Sequence, residues 1–160
     1  MKPVYIINGF LESGKTEFIT YTLSQPYFQI RGKTLLIVCE EGEVEYEEVL
    51  LRKSRTVMEV IDEEENFTPE NLIELEKKYK PERIVIEYNG MWNCKNMKLP
   101  WHWSVEQQIT TINGATFQNY YTNMKSLLAE QIRKSELIIF NRCDGLNERL
   151  GNFKRILKAV

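Results

Sequence analysis

Gly9-Phe10-Leu11-Glu12-Ser13-Gly14-Lys15-Thr16 carries the spacing G-x-x-x-x-G-K-[ST], and it stands where an apolar run, Val4 to Ile7, ends and a helix is expected to begin. Both the spacing and the context matter. The two glycines let the chain turn tightly, so that successive backbone N–H groups point into one hollow. The following helix turns the positive end of its dipole toward the same place. Phosphate oxygens suit such a hollow, so Gly9, Glu12, Ser13, Gly14, Lys15 and Thr16 are the expected phosphate contacts. Lys15 can reach the β- and γ-phosphates, and the Thr16 hydroxyl can take one position on an octahedral Mg²⁺. The alternative is a glycine-containing strand-to-helix turn with an exposed lysine, which the agreement of motif and context disfavours.

Outward from this turn, short runs rich in Ile and Val alternate with segments of helical periodicity, a pattern of helices packed on a mostly parallel sheet. Six strands are expected, at residues 3–8, 34–39, 56–61, 83–88, 108–113 and 136–141. A helix after the third has Thr68 as its cap, Pro69 in its first turn and Glu70 complementing its dipole, and Pro81 stops it. Tyr120, Met124, Leu127, Leu128 and Ile132 share one face of a further helix, and Leu150, Phe153, Ile156 and Leu157 repeat that spacing near the end. Nothing divides residues 1–160 into two domains: there is no repeat, low-complexity segment or Gly/Ser linker. Residues 40–48 hold so much negative charge that they read as a solvated loop. Residues 91–104, with Trp92, Trp101 and Trp103 around Pro100 and His102, read as a connection whose aromatics form a small satellite core or a docking site.

Two further segments bear on chemistry. The strand at 83–88 ends in Glu87, followed by Tyr88, Asn89 and Gly90. Ligands of doubly wound sheets gather at the carboxyl ends of strands, which puts Glu87 on the same edge as the phosphate turn, able to orient a Mg²⁺-bound water. Gly90 can offer its N–H to a γ-phosphate. Alone, E-x-x-G is weak and a surface glutamate fits it as well. Asn141-Arg142-Cys143-Asp144 follows the last strand with the N-[KR]-x-D spacing. The carboxylate of Asp144 can accept from both N1–H and the exocyclic amine of guanine, whereas adenine offers a bare acceptor at N1. Arg142 can cover one face of the base with its planar guanidinium. A polar strand-to-helix turn is the alternative.

Composition narrows the partners. Lys and Arg total 21 against 23 Asp and Glu, and the formal net charge of -2 gives no pull toward nucleic acid or an anionic membrane. Cys39, Cys94 and Cys143 are odd in number and far apart, unlike a disulfide framework, which reads as a reducing cytoplasm. Tight zinc or cobalt sites need several converging Cys or His ligands, and three Cys with one His, His102, are few. A weaker site at Cys39 with Glu40, Glu41 and Glu43 is the remaining option.

The ordered set Gly-Phe-Leu-x-Ser-Gly-Lys-Thr, Glu-x-Gly-Glu-Val, Glu-x-x-Gly and Asn-Arg-x-Asp resembles the nucleotide-binding domain of the CobW/HypB/UreG family over nearly the whole chain. The resemblance implies an α/β, three-layer P-loop NTPase fold and a GTPase that cycles between GTP and GDP with Mg²⁺. It also implies work in metal-cofactor assembly on a protein partner or metal-receiving target. By it, residues 9–16 hold phosphates, Glu40 and Glu43 lie in the switch segment with Glu40 near the metal, and Glu87 is the Walker B-type acid. Asn141 and Asp144 select guanine. Metal-carrying members usually have a Cys-x-Cys-Cys motif after the switch segment, which this sequence lacks, so the cargo metal is left open. Many members continue into a further strand and a C-terminal domain beyond the base-reading motif, which implies that residues 1–160 lack both. A P-loop kinase and a non-hydrolysing, nucleotide-gated interaction module are the competing functions. A kinase pocket has no need of Asn141 and Asp144.

Overall fold

The strand runs are apolar on both faces because both faces are covered. In a computed structural model of the chain, which describes residues 1–42 and 44–160, β1 (Lys2–Asn8), β2 (Thr34–Val38), β3 (Thr56–Val60), β4 (Arg83–Glu87), β5 (Trp103–Asn113) and β6 (Leu137–Asn141) form one sheet. The order is β3-β2-β4-β1-β5-β6 and every pairing is parallel. Alternate residues supply the two faces. Val4, Ile6, Leu35, Ile37, Ile84 and Ile86 pack with Leu72 of α3 (Pro69–Tyr79), while Ile7, Leu36, Val38 and Val85 pack with Ile19 and Leu23 of α1 (Lys15–Ser24). The short α2 (Glu48–Lys53) adds Leu50 and Leu51 to the α1 side. A third cluster joins Ile112, Ile138 and Phe140 to α4 (Phe117–Asn123), α5 (Lys125–Arg133) and α6 (Asn147–Ala159), where Phe153 lies 4.6 Å from Phe117 between ring centroids. The result is the parallel, helix-covered sheet expected from the alternation, in the three-layer α/β architecture that the resemblance implies. None of the described helices is long and apolar enough to cross a membrane.

The start of α3 follows its sequence signals: the Thr68 side chain accepts from the Asn71 N–H at 3.2 Å, Pro69 occupies the first turn, and Lys80 ends the helix in a left-handed conformation before Pro81. Three local expectations need correction. The helix expected through Tyr120 and Ile132 is two helices, broken at Met124 (φ -133°, ψ 39°). Thr122 and Asn123 before the break are weak helix formers, and Tyr120 is held by stacking on Phe10 at 4.0 Å. The strand expected at 108–113 begins at Trp103, because residues 103–105 pair with Lys2, Pro3 and Val4 ahead of an irregularity that skips Glu106. The acidic run at 40–48 is more than a solvated loop, since α2 begins at Glu48 and Tyr46 is half-buried against the α1 face.

The segment at 91–104 divides its tryptophans. Trp92 packs beside Phe67 and Tyr88, as a satellite core would, and Trp101 is 86% exposed. Trp103 is buried, and its Nε1 donates to Glu76 of α3 at 3.1 Å. His102 Nε2 meets the same carboxylate at 2.5 Å and Lys2 Nζ lies 4.0 Å from it. These four residues tie α3 to the amino-terminal edge of the sheet.

Candidate functional site

Register brings the singled-out residues together at the opposite, carboxyl edge. Glu87 pairs with Ile7 of β1 and Val38 of β2, and Asn141 pairs with Asn113 of β5, so the residues that follow these strands line one rim. The turn from β1 into α1 forms the middle of that rim. Gly9 (φ +144°) and Gly14 (φ +98°) adopt backbone conformations that L side chains rarely take. The Ser13 hydroxyl lies 2.7 Å from the Thr111 hydroxyl, which itself donates to the Asn8 carbonyl at 3.2 Å. Ser13 therefore anchors the turn to β5 through its side chain, while its own N–H closes the turn by donating to the Phe10 carbonyl at 3.1 Å.

A cleft of roughly 200 Å³ opens beside the turn, lined among others by Gly14, Lys15, Thr16, Glu40, Glu87 and Arg142. Lys15 is 4% exposed; its Nζ donates to the Gly9 carbonyl at 2.6 Å and forms an ion pair with the carboxylate of Glu40. The same Glu40 oxygen accepts from the Gly90 N–H at 3.4 Å. Thr16 Oγ1 donates to Glu87 at 2.8 Å, and the Tyr46 hydroxyl donates to the other Glu87 oxygen at 2.5 Å. Burial pushes the Glu87 carboxyl above its ordinary range, against the opposing pull of Tyr46, Thr16 and Lys15. Burial, and then the nearby Glu87 charge, raise both the Tyr46 hydroxyl and the Cys39 thiol, so each stays protonated.

The end of β6 reaches the turn directly. Asn141 Nδ2 donates to the Ser13 carbonyl at 2.6 Å. Arg142, with a left-handed φ of +50°, donates to the Glu12 carbonyl and pairs with Glu17 at 3.1 Å. Its guanidinium thus lies folded on the turn and α1, where the sequence reading has it covering a base. Asp144 is exposed and does not line the cleft. Glu43 lies outside the described residues.

Three residues of the site escape a sequence reading. Tyr46 binds Glu87, Thr111 holds Ser13, and Gln131 Nε2 donates to the Gly90 carbonyl at 3.0 Å from a buried position on α5. Their only local signals are an aromatic inside an acidic run, a Thr pair inside an Ile-bounded strand, and an amide on an apolar helix face. Thr16 and Glu87 offer hard oxygen donors side by side, a set that suits Mg²⁺ completed by phosphate oxygens and water. Among the described residues no group of three or more His, Cys, Asp or Glu side chains is placed to hold a metal ion. Cys39 is buried, and Glu40 beside it is directed to Lys15.

Comparison with curated proteins yields no significant match. Among solved structures, the chain is similar to one described as the Zn(II)-bound YjiA GTPase from E. coli, with a TM-score of 0.62 and 18% identity. The alignment covers 96% of this chain and 53% of that one, so the chain spans about half the length of the structure it resembles. At this identity the likeness speaks for the fold alone. The sequence profile described as "CobW/HypB/UreG, nucleotide-binding domain" matches residues 3–160, and with the phosphate turn, its buried lysine and the adjoining acid on one rim, the chain belongs to the CobW/HypB/UreG family as a nucleotide-binding domain.

Proposed function

We propose that the chain binds GTP and GDP together with Mg²⁺ and hydrolyses GTP slowly, as a single domain over residues 1–160. The observation that carries this reading is the meeting of Lys15, Thr16 and Glu87 in one cleft, with Asn141 tethered to the carbonyl of Ser13. Backbone N–H groups of residues 9–16 hold the α- and β-phosphates, and Lys15 neutralises the β- and γ-phosphates. Thr16 and Glu87 would hold the Mg²⁺, which when bound supplies charge neutralisation between phosphates. Glu87 orients water, and Gly90 offers its N–H to the γ-phosphate. Asn141 and Asp144 read guanine, with Asp144 moving in from its exposed position, while Arg142 braces the Glu12 carbonyl. Turnover is slow unaided, because Arg142 is engaged by Glu12 and Glu17 and so does not serve as an arginine finger.

A role in metal-cofactor assembly or metal homeostasis, on a protein partner or metal-receiving target in the cytoplasm, goes with this reading. Family membership supports it. The test is a titration with fluorescent GTP and ATP analogues, with and without Mg²⁺, followed by phosphate release. GTP is expected to bind at least about tenfold more tightly than ATP, since a site built to hydrogen-bond one base rejects another that leaves its groups unpaired. Asp144→Ala should narrow that gap. Equal affinity for the two nucleotides in the wild-type chain would remove the base-reading role of Asn141 and Asp144.

A further inference from the structure

A lysine ammonium that is 4% exposed needs a counter-anion, because an unpaired buried charge is strongly unfavourable. In the structure that anion is Glu40. One carboxylate oxygen, Oε2, takes both the Lys15 Nζ and the Gly90 N–H. The proposed function, on which this inference rests, assigns Lys15 to the β- and γ-phosphates and the Gly90 N–H to the γ-phosphate alone, so a triphosphate is the ligand that claims both donors. The backbone from which Glu40 projects is fixed: the Cys39 N–H donates to the Glu87 carbonyl at 2.9 Å, and Asn89 Nδ2 donates to the Cys39 carbonyl at 3.1 Å. The side chain is thus an anion on a short arm, rooted at the end of β2 and seated in an anion site. Six residues on, Tyr46 occupies a Glu87 oxygen, and Thr16 occupies the other.

We propose that Glu40 is a built-in competitor of the γ-phosphate, occupying its seat in the empty chain and yielding it to a triphosphate but not to a diphosphate. A diphosphate stops short of Gly90 and leaves Glu40 on its N–H. A triphosphate takes both donors, places a second anion against the Glu40 carboxylate and expels it. The switch segment then moves away from the cleft, with Tyr46 released from Glu87. The competition lowers triphosphate affinity in the empty chain, and the binding energy lost this way is what moves the segment.

Removal of the competing charge is the test, in EDTA so that no metal contact of Glu40 enters. Binding of GDP and of a non-hydrolysable GTP analogue is measured for the wild-type chain, Glu40→Gln and Glu41→Gln; Glu41 is an exposed neighbour that corrects for the general loss of one negative charge. Glu40→Gln is expected to tighten the triphosphate analogue about tenfold and GDP less than about threefold, within the usual range of coupling between sites, and Glu41→Gln to change either by less than about threefold. Equal tightening for both nucleotides in Glu40→Gln, or no tightening of the triphosphate, would overturn the proposal. In the wild-type chain, a glutamyl endopeptidase should cut within residues 40–48 faster with the triphosphate analogue than with GDP. Equal cutting would likewise overturn it, and this readout does not depend on the folding of a variant. Failure of the wild-type chain to bind either nucleotide would bring down the nucleotide reading itself, whereas binding of both without this difference removes only the role of Glu40.

Discussion

Replacement of Gly90 by alanine tests whether the loop after β4 and the phosphate turn are packed as one unit. A Cβ at this position would stand 2.1 Å from the Gly9 carbonyl oxygen, 2.7 Å from the Phe10 Cα and 2.8 Å from the Gly9 carbonyl carbon, all of them backbone atoms of the turn. None can rotate away as a side chain would. Retreat of the loop is opposed from the other side, where Gln131 Nε2 holds the Gly90 carbonyl at 3.0 Å. Relief to ordinary contact therefore needs a backbone shift of more than about 1 Å, and overpacking of this kind costs about 1–3 kcal/mol. With a urea m-value of about 1–3 kcal/mol/M, a loss near 2 kcal/mol lowers the unfolding midpoint by about 1 M. Displacement of Gly9 and Phe10 would also misalign the N–H groups proposed to hold the phosphates, so nucleotide affinity should fall about tenfold or more. Urea denaturation followed by circular dichroism, and nucleotide titration, measure the two effects. An unchanged midpoint together with unchanged affinity in Gly90→Ala would refute the close packing of loop and turn.

Further outcomes follow from other parts of the molecule. Lys15→Ala should weaken GTP and GDP binding at least about tenfold, read by fluorescence titration, because the charge-assisted contacts to phosphate proposed for it would be lost. Glu87→Gln should lower the rate of phosphate release more than it lowers nucleotide affinity, and equal losses would place Glu87 in binding alone. The Glu87 carboxyl is raised above its ordinary 4.5, so its contribution to stability is full below that value and declines as pH rises through the raised one. Urea midpoints should accordingly shift in favour of Glu87→Gln relative to wild type as pH increases from 4.5, and a constant difference would contradict the raised value. Phe153→Ala opens the aromatic cluster with Phe117 and Phe140 and should cost about 3–5 kcal/mol, a fall in Tm of about 10 °C by calorimetry.

What could be read from the sequence, and what could not, divides by the range of the interaction. The strands other than β5 announce themselves because Ile and Val are prominent in their cores, and the ends of β1, β4 and β6 are marked by the polar residues Asn8, Glu87 and Asn141. The start of β5 is hidden because Ser104-Val105-Glu106-Gln107-Gln108 reads as polar, and only pairing with β1 makes it a strand. Tyr46 and Gln131 act on residues 41 positions away, and Thr111 on one 98 away, so no local pattern marks them. The partner of Lys15 was equally invisible. An acidic run is consistent with solvent, and nothing within it singles out Glu40 as the residue that turns inward.

The cluster of Lys2, Glu76, His102 and Trp103 lies at the far end of the same strands that carry the phosphate turn. Seven residues of β1 separate the two, about 20 Å at ~3.3 Å per residue. One end of each strand can therefore be altered for robustness while the other is left for chemistry. Changes around Trp101, which projects 86% exposed beside this cluster, offer a place for an attached dye, an affinity handle or a fused module that leaves the nucleotide rim sterically free.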